Sequence, residues 1–123
     1  MKTYNFQARF APMLESDLKL TTIRRLGKRP PPEPGELIRR YTGMRTKHCR
    51  FLGDRICRSV HRLRIDSRGQ IFFGRERLVG FSRVVLAAGD GFDSTQEFIE
   101  FFRKVHGLPF KGWYIQWRRR SQL

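Results

Sequence analysis

Lys19, Thr22 and Arg24 bring an amine, a hydroxyl and a guanidinium together in the stretch Asp17-Leu18-Lys19-Leu20-Thr21-Thr22-Ile23-Arg24. No apolar periodicity accounts for this grouping. Residues two apart on an extended chain point to the same side, so Thr22 and Arg24 share one face of a strand, with Lys19 arriving from the preceding turn. A threonine hydroxyl attacks poorly until a base takes its proton. A lysine crowded by Arg24 and Arg25 would have a depressed pKa, which could let it serve as that base. Arg24 could then stabilise a developing oxyanion or hold a phosphate, and an acid such as Asp90 could protonate a leaving amine or orient the lysine. The same residues also fit plain binding, with Lys19 and Arg24 on phosphates and Thr22 on a base edge. They fit a structural role too, in which Thr22 caps a turn and Lys19 pairs with Asp90.

A basic run follows, beginning with Arg39, Arg40, Arg45 and Lys47 and continuing through Arg50, Arg55, Arg58, Arg62 and Arg64. Two or more of these on one sheet face would make a phosphate-binding stripe, with Tyr41 available to stack a base; the alternative is a solvated face. His48, Cys49, Cys57 and His61 are metal-ligand types but lack the paired close spacing of zinc sites, so both cysteines read as strand-core residues and no metal or cofactor is expected. The three histidines, including His106 at a helix C-terminus, fit surface or dipole roles.

Composition narrows the partner. The 123 residues carry 26 Lys+Arg against 11 Asp+Glu, a formal charge of +15 with a pI near 11.3. Much of the excess is arginine, whose planar fork grips phosphate and stacks on bases. A hydrophobic content of 39%, with eleven Phe and two Trp, argues for a folded domain rather than a disordered polycation. RNA or single-stranded nucleic acid is the expected partner. No signal peptide and no run of membrane-spanning length is visible, which predicts a cytoplasmic protein with reduced thiols and no membrane partner.

The elements that must position these residues can be read in order. Tyr4, Phe6, Ala8 and Phe10 alternate with polar neighbours, predicting a first strand. Pro12 sits as in a first helical turn, predicting a short helix from Ala11 that ends near Asp17. Leu20–Arg25 reads as a second strand. The proline-rich stretch 27–35 is a stiff exposed connector. Leu37–Thr42 is a third strand, and 48–65 is strand-like, interrupted at Gly53-Asp54, with an imperfect alternation over 56–65 whose crossed apolar positions a bulge or twist would explain. Asp66–Gly69 is a turn leading to a hairpin partner at Gln70–Phe73. Val84–Ala88 could be a buried strand or a helix end. A capping box at Ser94 and Glu97 opens a helix over 95–106, with Phe98, Phe101, Phe102 and Val105 as its core stripe. Trp113, Ile115 and Trp117 alternate in a closing strand. The order predicts an α+β fold, a small mostly antiparallel β-barrel with a short N-terminal helix and one longer C-terminal helix. Residues 1–117 form its single domain and 118–123 a basic tail.

Lys19-Leu20-Thr21-Thr22-Ile23-Arg24 resembles the signature of the ASCH domain family, a relative of the PUA RNA-binding fold, whose pattern is Gly-x-Lys-x-x-Thr-x-Arg. Asp17 stands in the place of its glycine. The resemblance continues through Pro34-Gly35-Glu36, Asp90-Gly91-Phe92 with Phe98, Phe101 and Phe102, and His106-Gly107-Leu108-Pro109-Phe110 before the Trp-bearing strand. It implies a β-barrel with a cleft that binds RNA or nucleotides. On the chemistry of the residues themselves, the nucleic-acid-binding set is Lys19, Arg24, Arg25, Arg39, Arg40, Tyr41, Arg45 and Lys47. Some family members are hydrolases, acting on N4-acetylcytidine or on single-stranded RNA. In the amidohydrolase branch a lysine, a threonine and a glutamate are catalytic. The first two map onto Lys19 and Thr22; the acid's nearest match is Asp90, shorter by a methylene. A third class of reading, an adaptor presenting its arginines to an acidic protein, also fits the charge.

Overall fold

A computed structural model describes residues 1–120 of the chain. The fold is α+β. Its strands are β1 (Lys2–Phe6), β2 (Thr21–Arg25), β3 (Leu37–Thr42), β4 (Arg50–Ile65), β5 (Ile71–Phe73), β6 (Glu76–Arg77) and β7 (Phe110–Trp117). Its α-helices are α1 (Ala11–Glu15), α2 (Phe81–Gly89) and α3 (Thr95–Val105). Hydrogen-bonded neighbours run β1-β3-β4-β5-β6, and β7 pairs with both β2 and β4. The β1–β3 pair is parallel, whereas β3–β4, β4–β5 and β5–β6 are antiparallel. The main path therefore has ends at β1 and β6, and its pairing is not that of a closed barrel.

The chain divides into two compact units. The first comprises residues 1–21, 31–60 and 115–123; of the basic tail predicted at its end, 121–123 lie outside the described residues. Its core gathers Tyr4, Phe6, Phe10, Leu14, Ile38, Leu52, Cys57, Ile115 and Trp117. The first strand is shorter than its alternation predicts. It stops at Phe6 because residues 8–10 wind into a 3-10 turn, closed by the Phe10 N–H on the Gln7 carbonyl at 3.0 Å, that feeds straight into α1. Pro12 occupies the first turn of α1, where no amide donor is needed. Cys49, expected in a strand core, precedes β4 and is exposed; Cys57 is buried, and burial pushes its thiol pKa up.

The second unit comprises residues 22–30 and 61–114. Leu63, Ile65 and Ile71 of the β4–β5 hairpin are buried there, as are Leu86, Ala87, Phe92, Phe98, Ile99, Phe102 and Phe110. Edge-on ring contacts knit Phe92 to Phe98 (5.4 Å between centroids) and Phe102 to Phe110 (4.9 Å), each contributing about 0.5–1.5 kcal/mol beyond area burial. The Ser94 hydroxyl accepts the Glu97 N–H at 3.0 Å, which starts α3 where the capping residues predict. Its core stripe is corrected in one place: Val105 is exposed and Ile99 takes a buried position. Val84–Ala88 resolves as part of a helix, α2, that exposes Phe81, Val84, Val85 and Ala88 at helical spacing.

Candidate nucleic-acid interface

The signature stretch begins at the end of α1. The Leu18 and Lys19 amides both donate to the Met13 carbonyl, at 2.9 and 3.0 Å, and Asp17 takes the left-handed conformation with φ 60°. Glycine reaches that conformation at no steric cost and aspartate tolerates it. The turn before Lys19 is therefore one that a glycine would also make, although Asp17 occupies it. Asp17 also uses its side chain. Its carboxylate accepts Arg55 Nε at 3.1 Å and the Arg120 amide at 3.0 Å. Burial pushes the Asp17 carboxyl up, but the Arg120 amide and the Arg55 guanidinium outweigh it and hold the pKa below the usual range.

Lys19 is only 3% exposed, and its ammonium lies 5.0 Å from the centroid of the Phe10 ring and 6.0 Å from that of Phe6. It belongs to the interior of the first unit, where aromatic faces help to hold the charge. Arg40 is placed likewise, against the expectation that it meets phosphate. It is fully buried, with its guanidinium on the carbonyls of Gly53 (3.1 Å), Leu14 (3.1 Å) and Leu52 (2.8 Å). Burial, and then the charge of Arg55, push its pKa down to about 10. Three accepted hydrogen bonds explain why a strand can carry this arginine inward. Arg39 is clamped on the Asp54 carboxylate at 3.0 and 3.1 Å. Tyr41 is half-buried against Phe51, with centroids 5.3 Å apart, while Arg45 and Lys47 are exposed.

In the second unit Arg24 Nε donates to the Thr22 hydroxyl at 2.9 Å, the same-face pairing that the i, i+2 spacing predicts. Thr22 and Asp90 are each 4% exposed, Arg24 is half-buried and Arg25 exposed. Arg25 donates to the His106 carbonyl at 2.6 Å. The His106 ring stacks on Phe102 and leans on Phe110. A dipole role would raise the His106 pKa, but burial first, then Arg25 and Arg24, lower it. Gly112 lets β7 approach β2 closely: a Cβ there would lie 2.5 Å from the Arg24 carbonyl oxygen.

The same unit contains a groove of about 650 Å³ lined by Arg62, Leu63, Arg64, Gly74, Arg75 and Lys111. No carboxylate is among these residues, and all four cations are exposed. Arg62 and Arg64 are two apart on β4, so they share its outer face while Leu63 and Ile65 are buried. The guanidinium of Arg62 lies 5.0 Å over the Trp113 ring and that of Arg64 lies 3.7 Å over Phe72. These stacks hold two guanidinium groups against aromatic planes while leaving charge exposed. Sequence reasoning placed Arg62 and Arg64 in a basic run but missed Arg75 and Lys111. Lys111 was within reach, because it lies two residues before Trp113 on one strand; Arg75 depends on the turn after β5, which no alternation encodes.

Among the described residues no group of three or more His, Cys, Asp and Glu side chains is placed to hold a metal ion, and no helix is long and apolar enough to cross a membrane. No family model, curated protein or solved structure matches the chain.

Proposed function

We propose that this protein is a cytoplasmic RNA-binding domain of the ASCH, PUA-like type that grips RNA through exposed arginines and lysines. The observation that carries the reading is the groove, with Arg62, Arg64, Arg75 and Lys111 and no lining carboxylate. Clustered cations release counterions when they neutralise phosphates, which drives association. Four acid groups elsewhere pair with arginines: Asp17 with Arg55, Asp54 with Arg39, Glu15 with Arg50 and Glu100 with Arg103. Arg24 and Arg25 add charge on β2 within the same unit as the groove. Titrating labelled single-stranded RNA with the wild type and with the Arg62→Ala/Arg64→Ala variant tests the reading. It predicts binding at low salt and a loss of at least about tenfold in the variant. No binding at low salt, or equal affinities, would contradict it.

A second reading keeps the hydrolytic roles of Lys19, Thr22 and Asp90. Its support is the match of Lys19, Thr22 and Arg24 to the family pattern, with Asp90 the nearest acid; Lys19, Thr22 and Asp90 are each only 3–4% exposed. Incubation with N4-acetylcytidine and with single-stranded RNA, beside Thr22→Ala, tests it. Turnover that survives the substitution removes Thr22 from the mechanism.

A further inference from the structure

We infer that a pocket beside Phe51, in the first unit, takes an unpaired nucleobase; this rests on the RNA-binding reading and narrows it to single-stranded RNA. The pocket has a volume of about 360 Å³ and is formed by β4 residues 51–55 with Glu15 and Arg120, a size within the usual range for small-ligand sites. Its aromatic wall is set by a fault in the sheet. Tyr41 pairs with Phe51 and Arg40 with Gly53, so Leu52 is an extra residue on β4, and Gly53 turns the chain at φ 101°. Such bulges re-aim side chains, often beside functional sites. Here Leu52 goes into the core and Phe51 is left 50% exposed.

Exposure alone would mean little, but Phe51 is a supported platform. The Tyr41 ring lies 5.3 Å away at 53°, and the Arg39 guanidinium stands 5.7 Å from the Phe51 centroid. A base stacked on such a surface presents its polar edge to the pocket's fixed acceptors. Asp54 is oriented by Arg39, and Glu15 by Arg50 at 3.0 Å. A carboxylate keeps lone pairs beyond those bonds and accepts the N–H of an exocyclic amino group. Arg120, whose backbone amide donates to the Asp17 carboxylate, lines the pocket and supplies a cation for the attached phosphate. The pocket therefore favours an amino-bearing base such as cytosine over uracil.

The test compares labelled oligocytidine, oligouridine and a duplex containing the cytidine strand, using the full chain, Phe51→Leu and Phe51→Tyr. Thermal melting verifies that each variant folds. The expected result is oligocytidine bound more tightly than oligouridine, about tenfold weaker binding in Phe51→Leu, near wild-type binding in Phe51→Tyr, and no effect of either change on the duplex. Oligocytidine affinity unchanged in folded Phe51→Leu overturns the base site while leaving general RNA binding standing. Equal affinity for the two oligonucleotides overturns the role of the carboxylates. Cytidine monophosphate that competes as strongly as the strand overturns the single-strand assignment in favour of a free nucleotide. Absence of binding to any RNA overturns this inference and the RNA reading together.

Discussion

At the scale of single residues, the chain uses cations in two opposite ways. Arg40 is spent inside, on three carbonyl oxygens. Arg40→Leu strands those acceptors in a buried site and should cost about 3–5 kcal/mol, read from the denaturant midpoint. Arg40→Lys should recover little, because an ammonium cannot reproduce a planar fork. His106 offers a second check. Its pKa is lowered from the ordinary 6.5 by burial and then by Arg25 and Arg24, so the unfolded chain takes up the proton more readily than the folded one. The stability that its neutral form contributes is present above about 6.5 and is lost as pH falls towards the native pKa. The ring's NMR titration should have a midpoint below 6.5, moving upward in Arg25→Gln. Of these residues, the Thr22–Arg24 pairing was legible because it needs only strand geometry. Arg40 was not: Leu37 and Ile38 are both apolar, so the alternation could not say which face of β3 is buried.

At the scale of elements, legibility followed the strength of local signals. The Asp66–Gly69 turn and α3 carry local signals that agree with the structure, a turn glycine in one and a capping box with a helical apolar stripe in the other. α2 does not. Gly80 at its start provides no side-chain cap, and its apolar residues Phe81, Val84, Val85 and Ala88 are exposed, Phe81 at 77%. The continuous apolar run Val84–Ala88 reads equally as a strand or a helix end. The interruption at Gly53-Asp54 was legible, but a bulge or twist was expected further along, over 56–65; the bulge at Leu52 and its consequence for Phe51 depend on the partner strand. β7 carries a contact that no local pattern encodes, the approach of Gly112 to the Arg24 carbonyl. Gly112→Ala would put a methyl 2.7 Å from the Phe110 ring as well. It should destabilise the protein by about 1–3 kcal/mol in equilibrium denaturation. A neutral outcome would mean that β2 and β7 can part without cost.

At the scale of the molecule, the net charge of +15 was legible from composition, and its placement was not. Lys19 and Arg40 withdraw from solvent, while Arg62, Arg64, Arg75 and Lys111 meet in one groove. The groove is one that only tertiary structure assembles, and it gives the prediction of a polyanionic partner a magnitude. For single strands, log affinity falls with log salt at about −0.7 per phosphate neutralised. The decisive measurement is this slope for single-stranded RNA, in the wild type and in Arg62→Ala/Arg64→Ala. Losing two phosphate contacts should make the slope shallower by about 1.4; an identical slope, or no binding to compare, would contradict the account.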